Sequence, residues 1–255
     1  MYGKKVDRRR YFLFGILCFL TFFVLKDTPN TIQNKFAYHR VFSGMTKEPW
    51  QIEEGKYCRV YYTDGLEDAE MTARIADSYY PMVATDFAWN RKDKLVFVLY
   101  QDGAAMAKAL GMKEEESVPM GAYCSQMVAV LSPSNWTQEQ ENWLQVEDFL
   151  ENGPIVHEMV HFALDEKAGG PYPLWFSEGV ALFYEKKYTG FEWRADLKGC
   201  CHSISMEDLA YRFQDLDTDM AYRKSYECVA GFVERYGEDV LQKRISALHL
   251  QKPSE

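Results

Sequence analysis

The residues whose types and spacing can do chemistry are His157, Glu158 and His161. They lie in the run Asn152-Gly-Pro-Ile-Val-His-Glu-Met-Val-His-Phe-Ala-Leu-Asp-Glu-Lys-Ala-Gly-Gly170. Asn152 or Gly153 suits a helix cap, Pro154 the first turn and Gly169-Gly170 the stop, so a helix is expected between them. Ile155, Val156, Met159, Val160, Phe162, Ala163 and Leu164 make that helix apolar on most faces. Ionisable groups buried unpaired in such a frame would cost several kcal/mol, and a metal ion offsets that cost directly. Positions i and i+4 differ by ~400° around a helix, so both imidazoles share one face, one turn apart. That arrangement suits two Nε2 ligands to one tetrahedral ion. Glu158, turned ~100° from His157, flanks the ion and can take a proton from metal-bound water. This is the His-Glu-x-x-His pattern of zinc metallopeptidases. With 5 histidines in 255 residues, it arises by chance on the order of once in a hundred such chains, so its capped apolar context carries much of the weight.

A catalytic zinc needs a third protein ligand and an open fourth position. Downstream is Pro173-Leu-Trp-Phe-Ser-Glu178-Gly-Val-Ala-Leu-Phe-Tyr184, where Pro173 starts a second helix and Glu178 sits among apolar neighbours. The stretch between His161 and Glu178 suffices for a helix end, a turn and an antiparallel return. Glu185 is a weaker candidate, since it abuts Lys186 and Lys187 and reads as solvated. Asp165, one turn beyond His161, is placed for an outer-shell bond instead of ligation.

His-Glu-x-x-His followed by Leu-Trp-x-x-Glu-Gly-x-Ala resembles the gluzincin metallopeptidases, the thermolysin and aminopeptidase type. The wording Trp-Phe-Ser-Glu-Gly-Val-Ala is similar to small bacterial peptidase MA-like proteins. The likeness covers roughly residues 57 to 240, with its specificity in 154 to 185. It implies a zincin-like α+β fold, zinc held by His157, His161 and Glu178, and Glu158 as general base. The aminopeptidases' Gly-Ala-Met-Glu-Asn motif is absent; Gly121-Ala122-Tyr123 is the nearest wording and lacks the acid, which favours an endopeptidase. An oxyanion-stabilising Tyr or His is also implied. Ser225-Tyr226 looks like the matching segment, so Tyr226 is the choice, with His202 and Tyr222 as fallbacks.

The elements that must position these residues are legible upstream. Tyr57–Thr63 reads as a strand, Glu67 to about Asp86 as a helix and Lys94–Tyr100 as a strong strand. Gly103–Leu110 is Ala-rich and helical, and Tyr123–Leu131 gives one or two strands, one of them a core strand or an edge that holds substrate. The expectation is an α+β chain: a small mixed-sheet lobe with helices over 51–150, then a zinc-binding helical lobe over 151–245. The active-site helix lies between them, and 246–255 is a tail.

The amino-terminal end has a separate logic. Residues 1–26 hold Lys4, Lys5, Arg8, Arg9, Arg10 and Lys26 against Asp7, a sum of +5, which leaves -14 for the rest of a chain whose net charge is -9. So acidic a body excludes nucleic acid as a partner. Behind the basic residues 1–10, the segment 11–26 is apolar on every face up to Lys26. It reads as a transmembrane signal anchor that sends the rest of the chain out of the cytoplasm. A cleaved signal peptide and a buried core helix are the other readings of this segment. Residues 27–50 read as a linker. Of six cysteines, Cys58, Cys124, Cys200, Cys201 and Cys228 follow the anchor. They leave pairing open, and no Cys-x-x-Cys spacing indicates a thiolate metal site.

The functional expectation is thus a membrane-anchored zinc metallopeptidase acting on peptide or protein substrates outside the cytoplasm. The alternatives are an inactive, metal-stabilised binding module at the cell surface, and a metal-free structural protein held at the membrane.

Overall fold

The computed structural model describes residues 29–45, 49–112, 118–135, 149 and 153–248. The basic end 1–10, the expected anchor 11–26 and the tail beyond 248 lie outside the described residues. Among the described residues, no helix is long and apolar enough to cross a membrane.

Five strands form one mixed sheet, so the chain is α+β. They are β1 (Gln51–Glu54), β2 (Cys58–Tyr62), β3 (Leu95–Tyr100), β4 (Gly121–Cys124) and β5 (Met127–Leu131), in spatial order β1-β2-β3-β5-β4. The central neighbours β2, β3 and β5 run parallel, while β1 and β4 close the two edges antiparallel. The parallel steps need crossovers. Helix α2 (Leu66–Phe87) joins β2 to β3, and α3 (Gly103–Leu110) leads from β3 towards β4 and β5. Asp102 caps α3 by accepting the Ala104 amide hydrogen at 2.9 Å.

Alternation along the strands sends two faces to two cores. Val60, Phe97, Leu99, Val128 and Val130 pack against α2 and the helices that follow the sheet. Val98, Tyr100, Ala129 and Leu131 face Ala37 and Val41 on α1 (Pro29–Met45) and Met106 on α3. Every residue of β5 is buried, as a strand covered on both faces must be. The core-strand reading of the region holds for β5, and β4 is the edge.

After the sheet come α4 (Ile155–Ala168), α5 (Leu174–Thr189), α6 (Met206–Tyr211), α7 (Thr218–Tyr236) and α8 (Glu238–Ala247). Helix α4 packs on α2 and α5, and α5 packs on α7. Helix α4 ends at Gly169, whose φ of 56° is the left-handed conformation that glycine adopts without strain.

Three expectations change. Residues 29–45 are a helix docked on the sheet and not a linker, because Ala37 and Val41 supply an apolar face four residues apart. Strand β1 is short, polar and exposed, so no alternation marked it. Helix α8 continues past 245 to Ala247, and Leu248 beyond it is buried, so the tail starts later than expected.

The docking of α1 has a measurable consequence. Val41 is 0% exposed, so Val41→Ala should lower the unfolding free energy by about 1–3 kcal/mol in a urea titration. A segment that merely tethers would leave the midpoint unmoved.

Candidate metal centre

Helices α4 and α5 bring the expected ligands together. His157 and His161 project from α4, and Glu178 from the first turns of α5. The His161 Nε2–His157 Nε2 distance is 3.1 Å, His157 Nε2–Glu178 Oε2 is 3.2 Å and His161 Nε2–Glu178 Oε2 is 3.5 Å. Among the described residues, these three form the one cluster of ligand-type side chains with the spacing to hold a metal ion. Bonds of about 2.0–2.1 Å to a tetrahedral ion separate ligand atoms by about 3.3–3.4 Å. The observed triangle matches that edge length.

The far nitrogens fix how the rings present themselves. His157 Nδ1 lies 3.3 Å from Glu185 Oε2. That contact suits a proton on His157 Nδ1 and leaves Nε2 turned towards the cluster. Glu185 is 5% exposed, not solvated as expected. It stands seven residues, about two turns, after Glu178, so both point at α4 from one face of α5. His161 Nδ1 lies 2.8 Å from Ser177 Oγ, within hydrogen-bond reach, and the Ser177 hydroxyl bonds to Tyr172. Tyr172 donates in turn to Asp165 Oδ1 at 3.2 Å, and Tyr123 donates to Asp165 Oδ2 at 2.7 Å. Asp165 therefore supports His161 through two intermediaries, an outer-shell role as expected. Such partners orient ligand rings and fix their tautomers.

Glu158 is 6% exposed and is met from the sheet side. Burial raises its pKa, opposed by the charges of His161 and His157 and by a bond from the Tyr123 backbone amide. Strand β4 reaches it because residue 121 is glycine. A Cβ there would fall 2.6 Å from Pro154 Cβ and 3.0 Å from Glu158 Cγ. Gly179 plays the same part on the other side. A Cβ at 179 would fall 2.5 Å from the Ser225 carbonyl oxygen, so α7 packs directly behind Glu178.

The two tyrosines of α7 meet different partners. Tyr226 is tied to a lysine and an arginine. Its hydroxyl accepts from Lys186 Nζ at 2.9 Å, and the Arg223 guanidinium lies 4.9 Å from its ring centre. Tyr222, one turn earlier on α7, is the residue in the field of the cluster. The Glu178 charge first, then burial and the Glu158 charge, push its pKa well above the usual value. Its ring stands against Phe213 and Trp193. The fallback His202 is exposed on the turn Cys201–Ser203.

Other expected features take plain places. Cys58, Cys124, Cys200, Cys201 and Cys228 are all free thiols. Sequence reasoning missed Gly121, Tyr123, Tyr172 and Ser177 as supports of the centre. Only Ser177, next to Glu178, had a positional clue.

The chain matches no family model, and no curated protein matches it. The reading of the centre rests on its own geometry. Three ligand atoms converge at close range, which without an ion demands a shared proton. Burial would lower the His157 pKa, but bonds to Glu178 and Glu185 hold it well above its usual value. Burial would raise Glu178, yet the charge of His161 and bonds to both histidines hold it at about 2. The metal-free cluster therefore keeps a proton on His157 that a divalent metal must displace.

Two outcomes follow. Zinc titration at pH 7 should release about one proton, read by calorimetry in buffers of different ionisation enthalpy, and affinity should rise as pH rises through the raised His157 pKa. Replacing the supporting acid by Glu185→Gln should weaken zinc binding about 10–100-fold in a chelator competition.

Proposed function

We propose that the chain is a zinc metallopeptidase of the gluzincin type, anchored in the membrane by residues 11–26 with its body outside the cytoplasm, and that it cleaves peptides internally. The observation that carries this reading is the triangle of His157, His161 and Glu178 with Glu158 buried at its side. Two imidazoles and one carboxylate form a borderline-soft nitrogen and oxygen set that suits zinc. A zinc ion, when bound there, supplies a Lewis acid that makes water nucleophilic at neutral pH and polarises a carbonyl.

The chain's own residues account for the remaining steps. Glu158, its pKa raised by burial, takes a proton from the attacking water and passes it to the leaving amine. The Tyr222 hydroxyl, kept protonated by its acidic surroundings, donates to the oxygen that gains negative charge. Strand β4 ends the sheet beside Glu158, so an extended substrate can add along it by backbone bonds. Gly121-Ala122-Tyr123 on that strand carries no acid to grip a free amino terminus, which favours internal cleavage.

The purified full chain should hold about one zinc per molecule and cut unstructured protein. Glu158→Gln should keep the metal and lose cleavage; a fully active Glu158→Gln enzyme contradicts the mechanism. Bound zinc with no turnover on any peptide would instead mark a metal-stabilised binding module. Tyr222→Phe should lower kcat about 10²–10³-fold, whereas Tyr226→Phe, whose hydroxyl is held by Lys186, should leave kcat within about threefold.

A further inference from the structure

A second cleft, of about 720 Å³, opens on the side of the sheet away from α4. Its walls are the end of α1, the carboxyl ends of β2 and β3, and α3. Crevices beyond the carboxyl ends of parallel strands are where open sheets place small ligands, and this volume is in the range of such sites.

The chemistry of the walls selects the ligand. His39, Arg40 and Lys108 line the cleft against one acid, Asp102. The Asp102 carboxylate is already used, accepting the Ala104 amide at the start of α3. Arg40 is held in the wall by donating to the Leu110 carbonyl oxygen, while Lys108 and His39 are exposed. In a body of net charge -14, a cleft with a surplus of cations draws in anions. Trp50 and Tyr100 form an aromatic corner, ring centres 5.9 Å apart and edge-on. The Trp50 indole N–H is buried and has no hydrogen-bond partner among the described residues.

We propose that this cleft binds a small organic anion: a ring or short apolar body, seated on Trp50 and Tyr100, that carries a phosphate, sulfonate or carboxylate facing Lys108 and Arg40. The site is independent of peptide cleavage and of the metal.

Phenyl phosphate is a suitable probe, titrated into the full chain and followed by calorimetry and tryptophan fluorescence. The expected result is saturable one-to-one binding that persists after chelation of metal. Lys108→Glu should weaken it about tenfold or more, and the neutralising Lys108→Gln by less. Trp50→Phe should remove most of the fluorescence change. Phenol and inorganic phosphate should each bind at least about tenfold more weakly than the joined molecule. The proposal is overturned if phenyl phosphate shows no saturable binding, if phenol binds as well, or if both Lys108 variants bind like the unaltered protein. Binding that chelation abolishes and Lys108→Glu leaves intact would place the anion at the metal centre and overturn it equally.

Discussion

Glu158, His161, Glu178 and Glu185 are buried at the junction of α4 and α5, with His157 partly exposed beside them, inside an otherwise apolar helix pair. Low dielectric makes every unpaired charge there expensive, so the cluster is stable only if its charges and lone pairs are matched. Glu185 and the Ser177–Tyr172–Asp165 relay match the outer nitrogens of the two rings. What is left is three converging acceptor atoms, a demand that a divalent cation meets and that a proton meets less fully. Most of the surrounding architecture can be understood as maintaining that convergence.

The sheet and the carboxyl-terminal helices act as two clamps. From one side β4 leans on α4 through the missing side chain of Gly121, and Tyr123 touches the centre three ways. Its amide bonds Glu158, its ring lies 6.4 Å from that of His161 in a near-parallel stack, and its hydroxyl bonds Asp165. From the other side α7 presses on α5 through Gly179. Arg223, 1% exposed, ties α7 to Glu192 and the Trp193 carbonyl, which keeps Trp193 beside Tyr222. The positions with least side chain thus set the distances that the chemistry needs.

How much of this was legible depended on the range of the interaction. The placement of His157 and His161 on one face follows from helical periodicity, a local property, whereas Glu178 was picked out by its apolar setting on a second helix and by the family wording around it. Strands β2, β3 and β5 and helices α2 and α3 announced themselves by composition and turn residues. Glu185 was misjudged because two adjacent lysines suggest solvent; its seven-residue interval from Glu178 was the better clue. Tyr222 and Tyr226 are one turn apart on the same face of α7. Periodicity cannot separate them; their partners do, Lys186 and Arg223 for Tyr226, Phe213 and Trp193 for Tyr222. Helix α1 buries only the short apolar face of Ala37 and Val41, too brief a pattern to announce a helix, and its contact with the sheet reveals its role. Gly121 and Tyr123 act through residues distant in sequence, which no local pattern carries.

The central claim is that two α4 imidazoles and one α5 carboxylate hold one zinc ion. X-ray absorption at the zinc edge of the stoichiometrically loaded full chain tests it most directly. The account predicts a four-coordinate shell of nitrogen and oxygen at about 2.0–2.1 Å, with the outer scattering of two imidazoles and no sulfur, and loss of one imidazole in His161→Gln. A sulfur shell at about 2.3 Å, or an imidazole count unmoved by His161→Gln, would contradict it.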